Sequence, residues 1–176
     1  MSDRLVIDSL DFVRNAGSRQ GKVSLIDFVR LHDLLFDQEG EIIYQISGRF
    51  DKNEKPGLDM EIRGKIHLNC QRCLDKLVHH VDLQTFLILA KNEDELNLID
   101  EDDTIDAILA APDLDVTYLI EDEIILSLSI ASCHAEGECS TLKLQSAESD
   151  LIGKAESAHP FAALATLKKT NRVQGD

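Results

Sequence analysis

Leu58-Asp59-Met60-Glu61-Ile62-Arg63-Gly64-Lys65-Ile66-His67-Leu68-Asn69 is the stretch on which the fold turns. Leu58, Met60, Ile62, Ile66 and Leu68 share one parity, and Asp59, Glu61, Arg63, Lys65, His67 and Asn69 share the other. Successive side chains of a strand point to opposite faces, so this period of two predicts a strand with one face on a core and one in water. Gly64 interrupts the apolar row, which predicts a bulge or a close backbone approach there.

Outward from this strand the same grammar continues. Ile42, Tyr44, Ile46 and Phe50 alternate with Ile43, Gln45, Ser47 and Arg49, and the Asn, Pro and Gly of 51–57 predict a turn between the two strands. Leu77, Val81, Leu83 and Leu87 share a parity and predict a third strand over 77–89. Three strands in succession read as an antiparallel meander with one wet face. After Ser24, with Asp27 placed as in a capping box, Leu25, Phe28, Val29, His32, Leu35 and Phe36 recur at helical spacing and predict a helix ending at 37–40, with His32 packed in its apolar stripe. Residues 5–13 fit either a strand or an irregular arm, 14–21 read as loop, and 92–112 as a long acidic loop. Val116, Leu119, Ile120, Ile124 and Leu128 predict a helix with Glu121, Asp122 and Glu123 on its opposite face; a strand at 114–120 competes. The expected architecture is therefore α+β: one domain over 1–140, built on an antiparallel sheet with flanking helices. A flexible C-terminal tail follows, made of a linker over 141–158 and a short helical motif over 159–170.

The net charge of −15 is not spread evenly. No Lys or Arg falls between Asn92 and Leu142, where fifteen of the thirty-three Asp and Glu lie; elsewhere eighteen acidic residues balance eighteen basic ones. Such a surface repels phosphate backbones and attracts cationic partners. Aromatic residues make up 5% of the chain and Trp is absent, which leaves few rings for base stacking. No apolar run reaches the ~20 residues of a bilayer span, and the N-terminus lacks a basic flank and apolar stretch, so no membrane is expected as a partner and the cytoplasm is the expected compartment. In a reducing compartment cysteines bind metal or stay free.

Cys70-Gln71-Arg72-Cys73 falls at the turn between the second and third predicted strands, where two thiolates at a hairpin tip face one ion. Cys133 and Cys139, in Cys133-His134-Ala135-Glu136-Gly137-Glu138-Cys139, supply a second pair, and His134 rivals Cys133 as the fourth ligand. Five residues separate Cys133 from Cys139, more than the usual ~2–4. Structural zinc is the expected cofactor, with free thiols as the alternative. A redox C-x-x-C normally opens a helix whose dipole lowers the thiol pKa, and a hairpin tip does not supply that. No dinucleotide, phosphate-binding or nucleophile-elbow motif is present, and the carboxylates of 100–103 read as solvated, so neither catalysis nor a small-molecule substrate is expected.

Leu68-Asn69-Cys70-Gln71-Arg72-Cys73, then Leu119-Ile120-Glu121-Asp122-Glu123-Ile124-Ile125-Leu126-Ser127-Leu128, then Cys139, and finally Pro160-Phe161-Ala162-Ala163-Leu164-Ala165-Thr166-Leu167-Lys168 resemble, in order and spacing, the YceD family of large-subunit ribosomal RNA accumulation factors. The resemblance implies a non-enzymatic factor that supports accumulation of 23S ribosomal RNA and assembly of the large (50S) subunit. Its expected partners are the large-subunit precursor, reached through basic ribosomal proteins, 23S ribosomal RNA or both. Direct RNA contact would fall to Arg63, Lys65 and Arg72, with His67, on the polar side of the second strand and its turn; a solvated strand face is the competing expectation for that group. Phe161, Leu164 and Lys168 are candidates for docking on the precursor, with docking of the Phe161–Lys169 helix back onto the protein's own core as the competing expectation.

Overall fold

The computed structural model describes residues 5–102 and 104–139, all within one compact unit, Met1–Cys139. The linker and helical motif expected beyond residue 140, with Phe161, Leu164 and Lys168, lie outside the described residues. The elements in chain order are β1 (Val6–Ile7), α1 (Ser9–Arg14), β2 (Ser18–Ser24), two 3-10 turns (Leu25–Asp27 and Val29–Leu31), β3 (Glu41–Phe50), β4 (Pro56–Asn69), β5 (Lys76–Ala90), α2 (Glu93–Ile99), β6 (Ala107–Leu109), β7 (Leu114–Asp115) and α3 (Val116–Ser127). Strands β2-β3-β4-β5-β6 form one sheet, antiparallel except for the parallel β5–β6 pair, and β1 pairs with β7. The fold is α+β, and its centre is the meander that the alternating stretches predict.

Ile42, Tyr44, Ile46, Leu58, Met60, Ile62, Ile66 and Leu68 are buried on one face, under Val13 of α1, Leu25, Phe28 and Leu31 of the turns, and Val116, Leu119, Ile120 and Ile124 of α3. The opposite face is wet, with Ile43 and Arg63 exposed on it. Gly64 pairs with both Ile42 and Val81 in an unbroken register, so it makes no bulge. A Cβ there would lie 2.5 Å from Ile42 Cδ1, so the alternative expectation, close approach, holds.

Four expectations are corrected. Residues 5–13, expected as a strand or an irregular arm, contain most of helix α1, which Asp8 caps by accepting from the Asp11 N–H. The helix expected from Ser24 to Phe36 is a pair of 3-10 turns, and the Ser24 side chain makes no capping bond. Leu25, Phe28 and Leu31 are buried three apart while Val29 is 71% exposed, and three residues per turn is the 3-10 period, not the α period. Residues 18–21, expected as loop, open β2, which pairs with β3 from Ser18↔Ser47 onward. The stretch 92–112, expected as loop, contains α2 and β6. Asn92 caps α2 by accepting from the Glu95 N–H, and the acidic first turn suits the positive end of the helix dipole. Ile99 and Leu96 then join Ile88 and Ala90 in a second, smaller apolar cluster. His32 is half-buried, and its Nε2 is buried without a hydrogen-bond partner among the described residues.

Strand β4 outruns β3 by several residues, and residues 34–36 fill the vacated edge: Phe36 N–H donates to His67 O at 2.7 Å and Asn69 N–H to Leu34 O at 3.1 Å. Asp37 clamps this crossing, 2.8 Å from Lys76 Nζ and 2.8 Å from His67 Nδ1. Hydrogen bonds from Lys76 and then His67 hold its carboxyl at about 2, below the usual carboxylate range. A carboxyl whose folded pKa lies below its unfolded value stabilises above the unfolded value and loses that contribution as pH falls through the folded one. Asp37→Asn is therefore expected to lower the melting temperature at neutral pH, with the gap to wild type closing between about pH 4 and pH 2. A gap that stays constant across that range would refute the clamp.

Candidate metal centre

The β4–β5 hairpin closes through Cys70-Gln71-Arg72-Cys73-Leu74-Asp75. Cys70 N–H donates to Asp75 O at 3.0 Å and Leu74 N–H to Cys70 O at 2.8 Å. Leu74 takes φ +61, a left-handed conformation that costs a side-chain-bearing residue about 1–2 kcal/mol. That strain lets the tip fold back so that both thiols face one side. After α3 the chain returns to this tip, where Gln71 N–H donates to Ser132 O at 2.9 Å. Gly137, at φ +84, then turns residues 135–138, with Glu138 N–H donating to Ala135 O, and carries Cys139 back beside His134.

Cys70, Cys73, His134 and Cys139 converge, their donor atoms all within 4.8 Å of one another. Cys70 and Cys139 are buried, Cys73 half-buried, and none of the cysteines is in a disulfide. A tetrahedral ion with metal–sulfur bonds of about 2.3 Å separates two sulfurs by ~3.8 Å. The Sγ atoms of Cys70 and Cys139 lie 3.8 Å apart, and His134 Nδ1 lies 3.4 Å from Cys73 Sγ and 3.9 Å from Cys139 Sγ. These three separations are close to those that such an ion needs, and three thiols with one imidazole suit zinc far better than a hard, oxygen-seeking cation.

The surroundings tune the donors. His134 Nε2–H donates to the Lys76 carbonyl at 3.1 Å, which leaves Nδ1 with its lone pair facing the sulfurs. Burial pushes the Cys70 thiol up, but backbone N–H groups of His134, Arg72 and Cys73 outweigh it and hold the thiol at about 5. Burial pushes Cys73 up to about 11, helped by the neighbouring Cys70 and Cys139. The hydrogen bond with Cys139 raises His134. Arg72 Nε–H donates to Cys139 Sγ at 3.0 Å, and its NH2 group donates to the carbonyls of His134 at 2.9 Å and Ala135 at 3.1 Å. Three thiolates around a dication would leave one surplus negative charge, which the guanidinium would offset.

Of the residues singled out by sequence, Cys70, Cys73, Cys139 and His134 are brought together, whereas Cys133 is exposed and outside the group. Counted from His134, four residues intervene before Cys139, within the usual ~2–4, so the spacing itself contained this signal. Arg72 belongs to the centre. Arg63, on the wet face, lies 3.1 Å from Asp82 and 3.4 Å from Glu61, and Lys65 is exposed beside it.

One group was missed. Glu121, expected opposite the apolar face of α3, is 4% exposed. Its Oε1 accepts from the backbone N–H of Arg30 at 2.6 Å and of Leu31 at 3.1 Å, and its Oε2 accepts from Arg30 Nε at 2.9 Å. Arg30 also reaches Asp122 and stacks 3.7 Å above the Tyr118 ring. The carboxylate thus replaces the helical acceptors that the 3-10 turn lacks.

No solved structure matches the chain. The profile of the family described as "Large ribosomal RNA subunit accumulation protein YceD" matches residues 58–168, a span that begins in β4 and takes in Cys70, Cys73, Glu121, His134 and Cys139. By that match, which extends over more than half its length, the chain belongs to the YceD family.

Proposed function

We propose that this protein supports accumulation of large-subunit ribosomal RNA without catalysing a reaction, by binding the large-subunit precursor through a basic ribosomal protein. In this reading a structural zinc ion held by Cys70, Cys73, His134 and Cys139 locks the β4–β5 tip to the chain that follows α3. The family supports the large-subunit role. The confinement of all surplus negative charge to 92–142 carries the choice of a cationic protein partner. The cations of the RNA-binding alternative support the same choice. Arg63 is engaged by carboxylates and Arg72 by the candidate metal centre, which leaves Lys65 as the one of these three without such a bond among the described residues.

Cross-linking of the full chain in cells, read by both mass spectrometry and RNA sequencing, tests the reading. Basic large-subunit polypeptides are expected in the cross-linked fraction, and charge reversal at Arg63 and Lys65 is expected to leave them there. Abundant 23S ribosomal RNA with no basic polypeptide would overturn it. Cells lacking the protein are expected to show depleted large subunits in a ribosome profile.

A further inference from the structure

The large sheet ends on two edges, and they differ. Strand β5 is paired along its length by β4, but on its other side β6 covers only Ile88–Ala90. Among the described residues no strand pairs with β5 on that side from Val78 to Leu87. Ile88 N–H donates toward β6, to Asp106 O at 2.9 Å, and the Lys76 carbonyl on the same side accepts from His134. The register between them is continuous, so Val78, His80, Asp82, Gln84 and Phe86 also turn their N–H and C=O groups to the open edge.

Exposed edges are ordinarily guarded by Lys, Pro or other charges that discourage another strand from adding. The opposite edge, β2, carries Arg19 and Lys22 within seven residues. Between Leu77 and Ala90 β5 has no Lys, Arg or Pro, and Val78 is 48% exposed. Its one carboxylate, Asp82, is paired with Arg63. Against the core side of this edge lies a cleft of about 420 Å³ between β5, β6 and α3, with Leu83, Leu87 and Ile108 among its apolar walls and Asp100, Asp106 and Glu123 as its carboxylates. Burial and then the charge of Asp106 push the Glu123 carboxyl up. A cation entering the cleft would offset the repulsion between these two carboxylates.

The geometry points to the free edge of β5 and the acidic cleft beside it as a docking site for an extended cationic segment of a partner protein, which adds to the sheet as a further strand. This inference rests on the reading that the partner is basic, and it names where that partner binds. Backbone pairing along Val78–Phe86 supplies affinity without regard to side chains. Alternate side chains of the added strand, about 6.7 Å apart, point to the cleft face, where Lys or Arg meets Glu123 and Asp106. A polyanion such as RNA lacks both the amide ladder and the matching charge.

The test is fluorescence anisotropy on the full chain with a labelled ten-residue peptide of alternating lysine and valine at low salt. Binding is expected, and methylating the peptide amides that face β5 should weaken it about tenfold or more. Gln84→Pro removes an outward N–H at an edge where proline is tolerated, and should weaken binding to a similar degree. Should that variant fail to fold, Glu123→Gln combined with Asp106→Asn probes the same site through charge alone, with the same expected loss. Equal affinity for the methylated peptide and for the double variant would overturn edge docking while leaving a basic partner in place. No binding of the peptide, together with binding of a 23S fragment, would overturn the basic-partner reading and the docking site with it. A concentration-dependent dimer abolished by Gln84→Pro, with no peptide effect, would assign the edge to a second copy and overturn the proposal.

Discussion

Wild-type full-length protein is expected to carry about one zinc ion per molecule and Cys139→Ser to carry none, read by elemental analysis after purification under reducing conditions. Cys139 is buried, 3.8 Å from Cys70 Sγ and 3.0 Å from Arg72 Nε, so its removal takes away one corner of the tetrahedron and the anion that holds the guanidinium. His134→Ala should empty the site as well, whereas Cys133→Ser, an exposed position outside the cluster, should leave the metal content unchanged. The sheet should persist in far-ultraviolet circular dichroism, because none of the four donors belongs to the main apolar core. What loosens is the returning segment, tied to the tip by Arg72, by the donors themselves and by the Gln71–Ser132 bond. A glutamate-specific protease should then cut after Glu136 or Glu138 roughly tenfold faster than in wild type, since local opening sets that rate. Stoichiometric zinc in Cys139→Ser, or its loss in Cys133→Ser, would remove the proposed ligand set.

The second large effect is expected at Glu121→Ala. This carboxylate accepts from two backbone amides and a guanidinium while 4% exposed, and α3 carries it 91 residues from Arg30 in sequence. Truncation leaves the Arg30 and Leu31 amides without an acceptor and the arginine with only Asp122, the Tyr118 carbonyl and the ring face. Each of the two amides left without its acceptor costs about 1–3 kcal/mol, while the part-exposed Arg30 guanidinium regains water. We expect a loss of at least about 3 kcal/mol in urea unfolding, and a smaller loss of about 1–2 kcal/mol for Glu121→Gln, which keeps an acceptor of the same shape. If the alanine variant unfolds within about 0.5 kcal/mol of wild type, as an ordinary surface substitution would, the carboxylate does not hold the two segments together.

How far the residues announced this molecule varies with how local the physics is. The three long strands were legible because alternation is read within a dozen residues and one face of the meander is wet. The stretch 25–36 misled because rows spaced three and four apart look alike in sequence. What separates them here is the Glu121 carboxylate, supplied from a distant helix in place of backbone acceptors. Residues 92–112 misled because their charge density masked Leu96 and Ile99, which become core only once Ile88 and Ala90 are beside them.

By itself the sequence determined the β3–β4–β5 meander, the cysteine pair at its tip and the α3 helix, since strand parity, turn residues and helical spacing act between near neighbours. Only the tertiary structure decided that His134 and not Cys133 joins the cluster, that Glu121 is interior, and that Arg72 faces the sulfurs. Each of those depends on which groups some sixty to ninety residues apart come within bonding distance, and that is a property of how the elements pack and of no single segment.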